Sequence, residues 1–344
     1  MISWQYHSSQ NSPIHRLAQA SPATMTITQD SAAPLVAVVG ATGKQGSSVV
    51  AGLGGSNKPY RVRGFTRDPS KPAAQILAEQ GVEVVAVNVA AENADAVREA
   101  FRGVDIAFIM TTFWEHYSKE KEIEDGKMLI DAAHAAGAKR IIWSTLRSVE
   151  AASGGKYRNV NHFESKYQVA EYGRQKLAGT DVAFVSVEPG AYMQLFTSHN
   201  PIMMRKDEDN KVTLFLPISS TFGLGAIDIR DFGKFIAAAI EDPAYAHGGD
   251  MVAATEALTP NTIVAALSAA TSKNFVFERA SNDAYKAFAM SSGFPEHFAE
   301  QLVETFVGEE EYVAATRPAY TKISAPLTTF DKFIAGQNLS EAFA

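Results

Sequence analysis

Val36-Ala-Val-Val-Gly40-Ala-Thr-Gly43-Lys-Gln-Gly46 is the stretch on which the reading of the fold turns. An apolar, β-branched run passes directly into glycines 40, 43 and 46, a G-x-x-G-x-x-G spacing, and a helical pattern near 43–54 follows. Gly40 allows a sharp turn off the strand. Gly43 lets the backbone approach a diphosphate with no Cβ in the way, and Gly46 lets the helix sit close on the strand. The helix amino terminus then offers unpaired N–H groups and the positive end of its dipole to an anion. A strand before and a helix after favour a dinucleotide site over a merely structural glycine turn.

Outward from that turn, short apolar runs alternate with helix-length amphipathic stretches. Strands are predicted at 35–39, 61–66, 82–87, 105–110, 140–144 and 182–187, with helices near 70–80, 92–102, 118–136 and 162–178. Runs such as Leu35 to Val39 and Ile106 to Met110 are continuously apolar, as parallel strands buried on both faces are, while 61–66 alternates and suits a place nearer an edge. The expected fold class is α/β, a Rossmann-type doubly wound parallel sheet with a smaller α/β C-terminal lobe. Residues 34–190 are assigned to the dinucleotide-binding domain and 191–344 to a substrate or partner lobe that can return a strand to the sheet. In the second part, strands are predicted at 212–216 and 274–279 and helices at 231–241, 259–270, 282–291, 296–314 and 328–335. The cleft between the lobes is the default substrate site.

Residues 1–33, rich in Ser, Gln, Thr and Ala, are expected to be a disordered extension; a mitochondrial presequence or a start upstream of the true one are the alternatives. The chain has 344 residues, 46% of them hydrophobic, with 31 basic against 38 acidic side chains. A net charge of −7 argues against a protein that grips nucleic acid through phosphates. No apolar stretch reaches the ~18 residues of a membrane span. The absence of cysteine removes thiol nucleophiles, disulfides and Cys-based zinc sites, and the eight histidines show no metal-ligand spacing, so no metal is expected. These features fit a cytoplasmic, or nuclear, protein.

Which dinucleotide is bound depends on the end of the second strand, where an acidic side chain would hold the adenosine ribose 2′-OH and repel a 2′-phosphate. Here stand Arg67, Asp68 and, one turn on, Lys71. The two cations favour NADP over NAD, with solvated surface charge as the bland alternative.

Taken together, VAVVGATGKQG, FTRDPSK, AFIMTTFWE, the helix EIEDGKMLIDAAHAAGAKRIIWST and HFESKYQVAEY resemble NmrA-like proteins, an atypical branch of the short-chain dehydrogenase/reductase superfamily, over about residues 34–335. Members of that family are NADP-responsive regulators or reductases of small metabolites. The resemblance implies that Gly40, Ala41, Thr42, Gly43, Lys44 and Gln45, with Gly46 behind them, line the diphosphate, and that Arg67 and Lys71 face the adenosine phosphate. It sets Thr111, Thr112 and Phe113 beside the nicotinamide, Lys166 at its ribose, and Tyr192, Met193 and Gln194 over that end. Where many relatives carry Gly-Asp beside the adenine, this chain reads Val87-Asn88-Val89, which leaves Asn88 at that place.

Typical short-chain dehydrogenases use a Tyr-x-x-x-Lys pair, one helical turn apart, to handle the substrate proton. The corresponding segment here is His162-Phe-Glu-Ser-Lys166: the lysine is kept and histidine replaces tyrosine. His162 and Tyr192 are the candidate proton donors beside Lys166, although His162 is more readily a hydrogen-bonded residue at a helix start. A literal match at Tyr172 to Lys176 lies ten residues on, too far along the helix, and is taken as a decoy. Ser144 and Thr145, at the end of a strand, stand where a substrate-polarising hydroxyl would sit. Asp231 reads as a helix cap, Glu309-Glu-Glu311 as a solvated helix face, and Met203 and Met204 as core. The missing tyrosine favours an NADP(H)-sensing regulator that binds a protein partner over the alternative, an NADPH-dependent reductase of a small hydrophobic molecule.

Overall fold

The computed structural model describes residues 27–197, 200–206 and 211–343. The first half of the chain alternates β1 (Leu35–Val38), α1 (Lys44–Gly54), β2 (Arg61–Thr66), α2 (Pro72–Glu79), β3 (Glu83–Ala86), α3 (Ala94–Ala100), β4 (Ile106–Ile109), α4 (Lys119–Ala135), β5 (Arg140–Ser144), a short α5 (Val149–Ala152), α6 (Asn161–Leu177) and β6 (Ala183–Pro189). The second half adds β7 (Ala191–Tyr192), β8 (Met204–Lys206), β9 (Val212–Leu216), β10 (Leu224–Ile227), α7 (Phe232–Glu241), β11 (Gly249–Ala253), β12 (Glu256–Leu258), α8 (Pro260–Thr271), β13 (Phe275–Arg279), α9 (Asn282–Ser291), α10 (Glu296–Gly308) and α11 (Phe330–Ala335).

Seven strands form one sheet in the order β11-β6-β5-β4-β1-β2-β3, and every neighbouring pair is parallel. This is the Rossmann-type architecture that the rhythm predicts. The direction of winding reverses between β1 and β4, so the carboxyl ends of those two strands open the crevice in which such sheets bind ligands. Two small sheets, β12-β10-β7 and β13-β9-β8, build the C-terminal lobe.

The alternation of side chains explains the layers. Leu35 and Ala37 face one way and pack with Trp143, Leu129, Ile130 and Val169 beneath α4 and α6; Val36 and Val38 face the other and pack with Leu53, Phe232 and Phe235 of α1 and α7. Burying such a side chain completely contributes ~1.5–3 kcal/mol. The two helices of the second layer touch backbone to backbone: a Cβ at Gly233 would come within 1.8 Å of the Ser48 carbonyl oxygen. The Ser48 hydroxyl donates to the Arg230 carbonyl at 3.0 Å and accepts from the Gly233 amide at 2.9 Å. A third core fills the C-terminal lobe and takes in Met203, Met204, Phe215 and Tyr285.

Several expectations need correction. The expected extension 1–33 lies mostly outside the described residues, and its last part is built into the fold. Ile27 pairs in parallel with Tyr60, the Thr28 amide bonds to the Tyr60 carbonyl at 2.9 Å, and Ala33 is buried. The helix predicted at 296–314 runs on to Thr316, but at Glu309–Val313 it widens into a π-helical turn. That turn carries Glu309 inward to pair with Arg317, which also bonds Glu188, so the acidic run is not a uniformly solvated face. Asp231 does not cap its helix with its side chain. Its carboxylate instead accepts from the Thr328 amide at 2.5 Å and pairs with Lys234, while Asp228 caps the preceding turn through the Arg230 amide.

Candidate functional site

The glycine turn is folded as a cradle. Gly40 has φ +68°, a left-handed conformation that β-carbon-bearing residues resist. A Cβ at Gly46 would lie 2.1 Å from the Gly40 carbonyl oxygen, so helix α1 begins in direct contact with the turn. Its N-cap is Gly43, extended, with no side-chain cap and no acidic residue in the first turn. Gly43 itself supplies no side-chain cap, and an anion suits the start of such a helix. Ala41 is buried under the turn, where its amide bonds the Phe65 carbonyl at 3.2 Å, while Thr42 is half-buried and Lys44 exposed. Gln45 reaches across the cleft: its Nε2 donates to the Tyr192 hydroxyl at 2.5 Å, and its Oε1 is buried with no partner. Burial pushes the Tyr192 phenol up to about 12. A helix start that takes no side-chain cap from Gly43, a contact that a Cβ would block, and an orphaned amide oxygen fit the diphosphate and nicotinamide amide of a dinucleotide.

Of the residues expected over the far end, Tyr192 meets Gln45, but its neighbours turn away. Met193 is completely buried in the C-terminal lobe core. Gln194 gives its Nε2 to Asp228 at 2.7 Å and accepts from the Ile229 amide at 3.2 Å.

At the end of β2, the side chains of Arg67 and Asp68 take different partners. Asp68 bends back on its own turn, accepting from the Ser70 amide at 2.9 Å and hydroxyl at 2.6 Å, which holds its carboxyl below the usual range. Arg67 points the other way and is paired through both terminal nitrogens with Glu115, at 3.2 and 3.1 Å. Lys71 stands exposed at the start of α2. Asn88 is exposed, with its carbonyl accepting from the Ala90 amide at 3.0 Å.

Beyond the carboxyl end of β4, Lys166 is the centre of a buried network. Its ammonium donates to the Thr111 carbonyl at 2.9 Å, the Thr111 hydroxyl at 3.2 Å and Glu122 Oε1 at 2.6 Å. Glu122, 3% exposed, also accepts from the hydroxyls of Thr111 and Ser165. The three donors of the ammonium are thus matched by three protein acceptors. Thr112 is exposed and precedes the turn Phe113–Glu115. Sequence reasoning missed Glu122. Its signal was there: it opens the stripe 122, 126, 129, 130, 133 that α4 buries, and a carboxylate in an apolar stripe calls for a buried cation.

His162, one turn before Lys166, is packed in a wall of rings. Its centroid lies 5.0 Å from Trp114, 5.9 Å from Phe113 and 4.7 Å from Phe163, and Phe298 of α10 adds an edge-on contact to Trp114 at 5.5 Å. Burial, and then the nearby Lys166 charge, push the imidazole down to about 3. His162 is therefore neutral at physiological pH and its Nδ1 is buried without a partner, which does not suit a general acid. Trp114 and Tyr117 remain 43% and 49% exposed at the mouth of this wall. The decoy pair turns elsewhere: Tyr172 donates to Asp131 on α4 at 2.7 Å, and Lys176 pairs with the same carboxylate at 3.4 Å. Ser144 is buried, and the Thr145 hydroxyl bonds the backbone carbonyls of Leu146 and Lys166 at 3.2 and 3.3 Å.

A protein-family model described as the NmrA-like family matches residues 33–334. The chain belongs to the NmrA-like family. Among similar NmrA-like proteins, the NmrA-like family domain-containing oxidoreductase malD of Malbranchea aurantiaca is 34% identical over 176 residues, 50% of this chain and 51% of that protein. The chain spans about half the length of the first curated relatives it matches. The NAD(P)H azoreductase of Xenophilus azovorans is 25% identical over 304 residues, covering 87% of this chain and 96% of that enzyme. Among solved structures, that of NmrA, a negative transcriptional regulator, in complex with NADP superposes with a TM-score of 0.66 at 23% identity, covering 90% of this chain and 94% of that one. At that identity the NmrA likeness is one of fold. Among the described residues, no helix is long and apolar enough to cross a membrane.

Proposed function

We propose that this NmrA-like protein is an NADP(H)-dependent reductase of a flat, apolar, conjugated acceptor. The observation that carries the reading is the wall formed by Phe113, Trp114, His162 and Phe298, which joins the two lobes within one helical turn of Lys166 and leaves Trp114 open to solvent. Planar apolar molecules stack on such walls. The oxidoreductase and azoreductase names of its relatives support the same reading.

The glycine turn and the start of α1 would hold the diphosphate, Arg67 would supply the cation for the adenosine phosphate, and Lys166 would orient the nicotinamide ribose. Bound there, NADPH would supply a hydride, becoming NADP+, and one proton from solvent would complete the two-electron reduction of the acceptor. The chain's own part is positioning and exclusion of water; His162, neutral with its pKa lowered by burial, is not the proton donor. The test is a panel of quinones, enones and azo compounds assayed for loss of reduced nicotinamide absorbance. Turnover that falls at least tenfold in Lys166→Ala and loses acceptor affinity in Trp114→Ala supports the reading; no turnover with any acceptor by a protein that binds NADPH defeats it.

One observation favours a second reading, that of a cofactor-sensing regulator. All three donors of Lys166 are engaged inside the protein, as in a structural role. A protein partner captured only with NADP(H) present, in the absence of turnover, would select it.

A further inference from the structure

The ion pair between Arg67 and Glu115 joins the two strands that flank β1. Arg67 directly follows β2, and Glu115 lies on the turn after β4, on the other side of the glycine cradle. The pair therefore bridges the crevice mouth. Glu115 is not an isolated surface charge. It sits within Phe113–Tyr117, the segment that supplies the aromatic wall: Trp114 packs against His162 of α6 and Phe298 of α10, and Tyr117 packs against Phe298 at 6.2 Å. The same segment is strained. Tyr117 has φ +52°, a conformation disfavoured for a large side chain, and closes the turn by donating its amide to the Phe113 carbonyl at 2.8 Å.

A phosphate on the adenosine ribose and the carboxylate of Glu115 are rivals for one guanidinium. Both are anions, both match the guanidinium fork, and they repel each other at close range. A dinucleotide without that phosphate has no reason to disturb the pair.

We propose that Glu115 is a specificity-determining residue that holds Arg67 until a 2′-phosphate displaces it, so that NADP(H), and not NAD(H), frees the aromatic segment 113–117 from the adenosine side. This rests on the NADP(H) reading above and deepens it. The carboxylate lowers the apparent preference for the phosphorylated coenzyme while making the aromatic wall respond to it. A ligand shifts a conformational equilibrium only through unequal affinity for the two states, and the 2′-phosphate is the group that supplies the inequality.

The test titrates the full chain with NADPH and with NADH by calorimetry, while following tryptophan emission; Trp114→Phe assigns the signal. Glu115→Gln is expected to tighten NADPH by about three- to fivefold, the scale of one exposed ion pair, and to leave NADH within about twofold. In the unaltered protein NADPH, but not NADH, shifts the Trp114 emission, and Arg67→Ala abolishes that difference. Equal effects of Glu115→Gln on both coenzymes, or NADPH binding with an unmoved Trp114 signal, overturn the proposal and leave the NADP(H) reading standing. Failure of the unaltered protein to bind any nicotinamide dinucleotide removes the reading and the proposal together.

Discussion

Glu122 Oε1 lies 2.6 Å from the ammonium nitrogen of Lys166, and both groups are sunk beside the carboxyl end of β4. Through this contact helix α4 decides where the one lysine of the Tyr-x-x-x-Lys pattern that this chain retains can point. Glu122→Gln keeps the shape and removes the charge, leaving a mostly buried ammonium with weaker acceptors. A loss of about 2–3 kcal/mol is expected, below the full value for a broken buried pair because Lys166 keeps some solvent. Urea unfolding of Glu122→Gln, Lys166→Met and the double variant checks it. The double variant should lose less than the sum of the singles; strict additivity would mean that the contact carries no energy.

The depressed imidazole of His162 has a consequence for acid stability. The unfolded chain binds a proton there near pH 6.5, the folded protein only at about 3. Between those values the unfolded state holds more protons, so stability falls as pH is lowered through the window. In His162→Gln that loss should be shallower, by at most about 1.4 kcal/mol per pH unit. Denaturant midpoints measured from neutral pH to about 4 decide the matter: parallel curves for the two proteins would show that His162 titrates normally.

Gly46 offers a sharper test of the cradle. A methyl group there would meet the Gly40 carbonyl oxygen at 2.1 Å, a backbone atom that moves only with the whole turn. Gly46→Ala is expected to lower the melting temperature and reduce dinucleotide affinity at least tenfold. Gly103→Ala is a useful control, since Gly103 also has positive φ but its Cβ would meet nothing within 4 Å. It should lower stability by about 1 kcal/mol with unchanged nucleotide affinity.

Arg317 binds Glu188 at 3.1 Å and Glu309 at 2.6 Å, both carboxylates being buried. Arg317→Met leaves Glu309 without its cation and should destabilise by about 3 kcal/mol or more. Burial already pushes the Glu309 carboxyl upward, and without Arg317 it rises further. The folded variant then holds a proton that the unfolded chain has lost, so its stability should increase as pH falls from neutral towards the ordinary carboxylate range. A variant whose stability declines over that range at least as steeply as the parent's would contradict this account.

The inner strands of the large sheet were legible because they are buried on both faces, and such strands are continuously apolar whatever their surroundings; LVAV and IAFI announce themselves. The strands at Leu224–Ile227 and Gly249–Ala253 carry no comparable run, being cut short by Gly223, Gly225, Gly248 and Gly249, and their pairing is set by distant partners. The glycine turn could be read because its chemistry is local. The Glu122–Lys166 contact joins residues 44 positions apart, and the Arg67–Glu115 pair joins residues 48 apart, so no spacing rule reveals them. His162 shows a different limit. Its residue type suggested acid chemistry, but the rings around it, drawn from two separate segments, and the nearby Lys166 charge set its protonation state.

β11 returns from a distant part of the chain to pair along β6, and α7 closes against α1 through Gly233. A recombinant fragment cut after Pro189 would bare the rim of β6 and strip one side of the helix that cradles the nucleotide, inviting edge-to-edge aggregation. Engineers who wish to transplant this nucleotide module must carry the later segment with it, because the border between the lobes in space is not a border in the chain.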